Sequence, residues 1–147
     1  MRQIRVREMR EEDIPEVIRI ERSSFSTPWS ETSFLNEIHK SRSIAKVAEL
    51  HEAVVGYICA EQILDEGHIL NLATDPNHRG IGIANTLVGD VVSELRKKAC
   101  RFLYLDVRAS NSIAKGFYEG LGFRVIGVRK KYYVAPHEDG VIMVLEL

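Results

Sequence analysis

Residues 68–95 read HILNLATDPNHRGIGIANTLVGDVVSEL. HILNLAT, 68–74, is an apolar run of strand length, and Asp75-Pro76-Asn77 breaks it. From Ile83 the apolar positions are Ile83, Leu87, Val88, Val91, Val92 and Leu95, which is the stripe of an amphipathic helix. Lys97 and Lys98 fall at its end, the favourable place for cations. Between strand and helix sits NHRGIGIA, with Arg79, Gly80, Gly82 and Ala84 at the helix mouth. A helix N-terminus has unpaired N–H groups and about half a positive charge. Small residues let a polyanion approach that backbone, and Arg79 adds a fork that fits phosphate. The turn therefore reads as a pyrophosphate cradle, with an ordinary glycine-containing turn as the plain alternative. It is not a P-loop, because no G-x-x-x-x-G-K-[ST] occurs. Gly80-Ile81-Gly82 imitates the start of a dinucleotide fingerprint, but position 85 is Asn and no repeated βαβ pattern surrounds it.

Working outward, residues 3–9 alternate as a strand. Asp13, with Glu16 three residues on and Pro15 between, predicts a capped helix whose buried face holds Ile14, Val17 and Ile18. Pro28 closes a loop, Ser30 caps a second short helix, and Phe34, Leu35 and Ile38 are its apolar positions. Residues 44–50 and 53–63 read as a hairpin about LHEA. Residues 101–107 are a strand. SNSIAKGFYEGLGF is a helix capped by Ser110 or Asn111 and stopped by Gly122. Residues 123–129 and 141–147 are final strands joined by a polar loop, KKYYVAPHEDG. The order β-α-α-β-β-β-α-β-α-β-β predicts an α/β or α+β fold: a mixed sheet of about seven strands with four helices on its faces, in three layers.

The length of 147 residues fits one domain, 1–147. Twenty Lys and Arg against 21 Asp and Glu give a net charge of −1, without the basic excess of a general nucleic-acid binder. No apolar run is long enough to span a membrane, and MRQIRVREMREED lacks a signal-peptide core. Cys59 and Cys100 fit neither a disulfide framework nor zinc spacing. The expectations are buried free thiols, no metal and a reducing cytoplasmic setting.

R-x-x-G-x-A at 79–84, after a strand and opening a helix, resembles the acetyl-CoA signature of the GNAT acetyltransferases. FSTPWSETSF at 25–34, LDEGHILNLATDP at 64–76, YLDVRASNSIAKGFYEGLGF at 104–123 and YYVAPHEDGVIMVL at 132–145 resemble its RimI branch, in order and nearly end to end. That branch acetylates the N-terminal alanine of a small-subunit ribosomal protein. The resemblance implies acetyl-CoA as co-substrate and a peptide or protein N-terminus as partner, with no metal, nucleic acid or membrane. It also implies roles for particular residues. Leu72, Ala73 and Thr74 would pair with the pantetheine arm as an added strand does. Gly80, Ile81, Gly82, Ile83, Ala84 and Asn85 would cradle the pyrophosphate, with Arg79 beside them. Gly80 stands where the branch often has a further basic residue. Asn111 would touch the cofactor near the thioester, or cap its helix. Tyr118 matches the tyrosine proposed as the acid toward sulfur, and its alternative is a core aromatic. Trp29 and Tyr132 or Tyr133 would wall the peptide groove, with Trp29 as a hydrophobic plug the alternative.

Asp106 stands where the branch has a glutamate base. The missing carbon is about 1.5 Å, and a misplacement of about 1 Å can cost 10²-fold in rate. A water relay or a shared base is expected, with Glu61, Glu66 and His68 the nearest candidates by sequence. A solvated strand-end carboxylate pairing Arg108 or an amide is the plain reading of Asp106. An α-amine has a pKa about 2.5 units below lysine, worth roughly 3.4 kcal/mol, so a weak base serves an N-terminus better. Two other functions fit this scaffold. A small-amine or amino-acid acetyltransferase would have a narrow pocket closed by the 25–34 and 130–138 loops, where a peptide needs an open groove. A non-catalytic acyl-CoA module would lack turnover. Glu138 and Asp139 read as loop charges or as anchors for a positive substrate group, and His51 and His137 as surface residues.

Overall fold

A computed structural model describes residues 3–147. Its strands are β1 (Arg5–Glu8), β2 (Ser43–Leu50), β3 (Ala53–Ile63), β4 (Glu66–Thr74), β5 (Phe102–Arg108), β6 (Arg124–Val134) and β7 (His137–Glu146). Its helices are α1 (Ile14–Ser24), α2 (Glu31–His39), α3 (Ile83–Lys97) and α4 (Ser112–Gly120). The strands form one mixed sheet in the order β1-β2-β3-β4-β5-β7-β6. Only β4 and β5 run parallel, with α3 as their crossover.

Alternation along the strands divides the core into two layers. On one face, Ile83, Leu87, Val88, Val91 and Leu95 of α3 pack on Ile58, Leu103, Leu105 and Met143, and α4 adds Tyr118. On the other, Ile14, Val17 and Ile20 of α1 and Phe34 of α2 pack on Val47, Tyr57, Cys59 and Ala73. Both cysteines are buried and free. Gly56 is what lets α3 sit close: a Cβ there would lie 2.8 Å from Ile83 Cγ2 and 3.0 Å from the Ala73 carbonyl. The helix mouth is thereby fixed against the end of β4.

Three expectations change. The polar loop predicted between the last strands is strand instead, because Arg129 pairs Gly140, Tyr133 pairs Glu138 and Val134 pairs His137. A bulge at 130–132 absorbs the charged residues, and Asp139 fills it, accepting from the Lys131 amide at 2.8 Å and meeting Lys130 at 3.3 Å. In the sheet, apolar β7 lies between β5 and β6, and β6, with Arg124, Arg129, Lys130 and Lys131, forms the edge. Charged edges discourage strand addition. Asp13 does not cap α1 with its side chain. Its carboxylate takes both Arg7 Nη atoms at 2.8 Å and the Arg10 amide at 2.8 Å, tying β1 to α1. The buried face of α1 is Ile14, Val17, Ile20 and Glu21, with Ile18 only half-buried. Ser30 and Asn111 do cap, accepting from Ser33 and Ala114 amides.

Candidate active site

β4 and β5 pair only at Glu66–Phe102, Gly67–Leu103 and His68–Tyr104. Just beyond, Ala60 of β3 faces Ile69 while Cys59 faces Asn71, so Leu70 is an extra residue in β4. Such a bulge bends the strand. From Ile69 to Thr74, β4 keeps β3 on one edge and has no strand on the other. β5 meanwhile follows β7 to Arg108. The notch between them is a cavity of about 310 Å³, bordered by Leu72 on β4, Asp106 on β5, Asn111 at the N-cap of α4 and Tyr118 within α4. Trp29 and Tyr133 border it as well. A larger hollow of about 600 Å³ at the β1–β2 edge contains none of the expected site residues.

Gly80 and Gly82 have φ of +79° and +91°, and a Cβ at either would meet nothing within 4 Å. Among the described residues, none of the N–H groups of 80–85 donates to the protein; the first bond is Thr86 N–H to the Gly82 carbonyl. Six unpaired amides thus surround open space, with exposed Arg79 beside them. That arrangement suits an anion. Ile83 is buried in the core, so it offers backbone alone. Ala73 and Thr74 continue β4 toward this turn without lining the cavity.

Tyr118 is 9% exposed, and its hydroxyl bonds to no protein group among the described residues. Burial, with Tyr133 adding, pushes its phenol well above the ordinary range. It stays a proton donor across the whole neutral range. Asp106 does not pair with Arg108. Its Oδ1 accepts from Arg129 Nε at 2.9 Å, a guanidinium reaching across β7. Arg108 is engaged elsewhere, donating to the Pro136 carbonyl at 2.8 Å and the Ala135 carbonyl at 3.0 Å, and stacking over Tyr133 at 4.4 Å. Glu138 joins it, accepting from Arg108 at 3.2 Å and from the Ser110 amide at 3.1 Å. Glu138 and Asp139 therefore hold the β6–β7 turn together. Glu61 pairs with Arg42 at 3.0 Å, Glu66 is exposed, and His68 stacks on Tyr104; none of the three lines the cavity.

Trp29 packs on Phe34, with ring centres 5.2 Å apart, while also bordering the cavity, so plug and wall coincide. Of the two tyrosines, Tyr133 faces the cavity, its phenol pushed up to about 12 by burial and then by Asp106. Tyr132 is half exposed and meets Arg129 instead. The loops touch: Ser26 Oγ donates to the Ala135 carbonyl at 3.0 Å and Thr27 Oγ1 at 3.5 Å. This latch bridges the groove.

The profile of the Acetyltransferase (GNAT) family matches residues 14–123. The chain belongs to the GNAT acetyltransferase family. A Haemophilus ducreyi relative named [ribosomal protein bS18]-alanine N-acetyltransferase is 34% identical over 93% of this chain and 96% of its own. The crystal structure of the ribosomal-protein-S18-alanine N-acetyltransferase from Escherichia coli superposes with a TM-score of 0.90 at 29% identity, covering 98% of this chain and 94% of that one. Arabidopsis thaliana NAA60 in complex with acetyl-CoA has the same fold, with a TM-score of 0.90 at 22% identity over 99% of this chain and 100% of that one. The GNAT assignment makes the chain an N-acetyltransferase.

The residues at this candidate site that the sequence did not single out include four with clear positions. Glu21, Asn71 and Phe25 line the cavity, and Arg129 holds Asp106. Two had a visible signal: Glu21 falls on the apolar stripe of α1 at i+7 from Ile14, and Asn71 interrupts an apolar strand. A polar residue at a core position is informative because burial must be compensated by hydrogen bonds.

Proposed function

We propose that this chain transfers the acetyl group of acetyl-CoA to the N-terminal α-amine of a protein, an alanine of ribosomal protein bS18 by analogy with its relatives, in the cytoplasm where ribosomes are made. The observation that carries this is the unpaired edge of β4, open to a cavity that Tyr118 and Asp106 border. Acetyl-CoA, when bound, supplies an activated thioester. The residues present fit it: the free amides of 80–85 and Arg79 match a pyrophosphate, and the open edge at Leu72, Ala73 and Thr74 matches an amide-bearing arm. Asn111 caps α4 through Oδ1, leaving its amide nitrogen free to donate toward the same cavity.

Acetyl transfer to an amine needs two proton movements. Asp106 is the acceptor for the amine proton, through a water because the side chain is short. Tyr118 is the donor toward the departing sulfur: its buried phenol, still protonated at neutral pH, hydrogen-bonds the thiolate as the C–S bond breaks and passes it a proton that solvent then replaces. Trp29 and Tyr133 flank the entering chain end. The cavity is at the low end of the roughly 300–1,000 Å³ of small-molecule sites, enough for a terminal residue rather than a length of peptide.

The Ser26–Ala135 latch favours a second reading, in which the acceptor is a small amine or amino acid. Mass spectrometry of a panel incubated with acetyl-CoA separates the two. Peptides beginning with Ala should gain one acetyl group at the α-amine, while internal lysines and free amino acids stay unmodified. Acetylation of free amino acids alone would establish the second reading.

A further inference from the structure

Glu21 is 1% exposed, yet it borders the cavity from the α1 side. Its Oε1 accepts from the Tyr57 hydroxyl, and from Asn71 Nδ2 at 2.7 Å. Its Oε2 accepts from the Trp29 amide at 2.8 Å. All three partners are neutral donors. Among the described residues no Lys, Arg or His forms an ion pair with it. A carboxylate has about four acceptor positions, so one is left over. Burying a charge without an opposite charge is costly, and proteins normally pair it. Asp106, on the β5 side of the same cavity, already has Arg129. The cavity is therefore bordered by one neutralised carboxylate and one that lacks a cation.

We infer that Glu21 is the residue that recognises the acceptor as an ammonium, the substrate supplying the cation that the protein leaves out. This rests on the α-amine acetylation reading above. Below about pH 8 an α-amine is largely protonated, so the acceptor arrives charged. Tyr57, Asn71 and the Trp29 amide come from β3, β4 and the loop after α1, and they hold the carboxylate fixed. A fixed anion attracts a cation without first reorganising. Acetylation turns the ammonium into a neutral amide, so the attraction ends with the reaction and favours release of product over substrate.

The test compares two peptides by calorimetry in the presence of CoA: one with an N-terminal alanine, the other with that alanine replaced by propionyl, which lacks the amine. The wild-type protein should bind the amine peptide about tenfold more tightly, the scale of one screened charge pair. Glu21→Gln should bring the two affinities together while acetyl-CoA affinity, set at residues 79–85, stays within about twofold. An undiminished preference in Glu21→Gln, or an equal loss for both peptides, would overturn the assignment. Should Glu21→Gln fail to fold, Tyr57→Phe keeps the carboxylate and removes one neutral donor. Its preference for the amine should persist or widen, and a collapse there would overturn the assignment too. Turnover of the alanine peptide by the wild-type protein is measured alongside. No turnover and no binding of either peptide would sink the acetyl-transfer reading and this one with it. Turnover with an unchanged preference in Glu21→Gln sinks this one alone.

Discussion

In the proposed reaction the proton transfers rest on single atoms of Asp106 and Tyr118. Asp106 bears a carboxylate one carbon shorter than the glutamate that the family resemblance implies, and one of its oxygens already accepts from Arg129. If it removes the amine proton through a water, Asp106→Asn should lower kcat/KM most below about pH 8, where the α-amine is mainly protonated. The deficit should shrink as pH rises and the amine deprotonates unaided. Asp106→Glu should preserve or raise activity. A pH–rate profile of both variants measures this, and wild-type rates for Asp106→Asn at every pH would remove Asp106 from the mechanism. Tyr118 has a free hydroxyl and a phenol that burial keeps protonated. Tyr118→Phe should lower kcat by about 10²-fold, the low end for general acid catalysis, with little change in acetyl-CoA affinity. Full activity in that variant would mean that solvent protonates the sulfur. The structure places both residues at the border of one cavity, and both were singled out by the family resemblance. The Arg129 partner was not, because the two lie 23 residues apart and meet only across an intervening strand.

Elements position these atoms by how they end and bend. β4 separates from β5 because of the bulge at Leu70, and α3 begins at Gly82 with its amides open. Gly82 has φ of +91°, a region where a non-glycine residue costs about 1–2 kcal/mol and a β-branched one more. Its neighbourhood has room for a Cβ, so Gly82→Val should fold with a modestly lower Tm. It should nevertheless abolish acetyl-CoA binding, since the added side chain occupies the approach to the amides. Calorimetry on the folded variant checks this; unchanged affinity would put the pyrophosphate elsewhere. In the β6–β7 turn Arg108 engages two carbonyls, Glu138 and the Tyr133 ring, beside the Asp139 contacts to Lys130 and Lys131. The expectation of a loop there failed because Lys130 and Lys131 look like solvent-exposed chain. A bulge lets them leave the strand without ending it.

For the molecule as a whole, several carboxylates stabilise the fold only while ionised. Burial alone would push Asp13, Asp75 and Glu94 up, but bonds from Arg7, Arg19 and Lys46 outweigh it and hold all three below the ordinary range. A carboxyl depressed in the folded state contributes fully above its unfolded pKa, about 3.9 for Asp and 4.3 for Glu. That contribution is lost as pH falls through the folded value. Thermal midpoints should therefore hold between pH 7 and 5 and fall steeply toward pH 3. Asp13→Asn should lower the midpoint at pH 7 and shallow the fall below pH 4, because the bidentate contact with Arg7 is already gone. An identical acid limb in both proteins would show that the Arg7–Asp13 pair carries none of it.

By itself, the sequence determined the element order, the three layers and the glycine-rich helix mouth. Each of these is written in local signals: periodicity of apolar residues, capping and turn residues, and one short motif. Tertiary structure alone decided which edge of β4 is free, that β7 inserts between β5 and β6, that Tyr133 rather than Tyr132 faces the cavity, and that Arg129 rather than Arg108 meets Asp106. It also decided that Glu21 is buried against three neutral donors. The physical reason is range. Hydrophobic period and cap chemistry act over a few residues, whereas strand order, bulge register and the reach of a guanidinium depend on segments that are adjacent only after the sheet has formed.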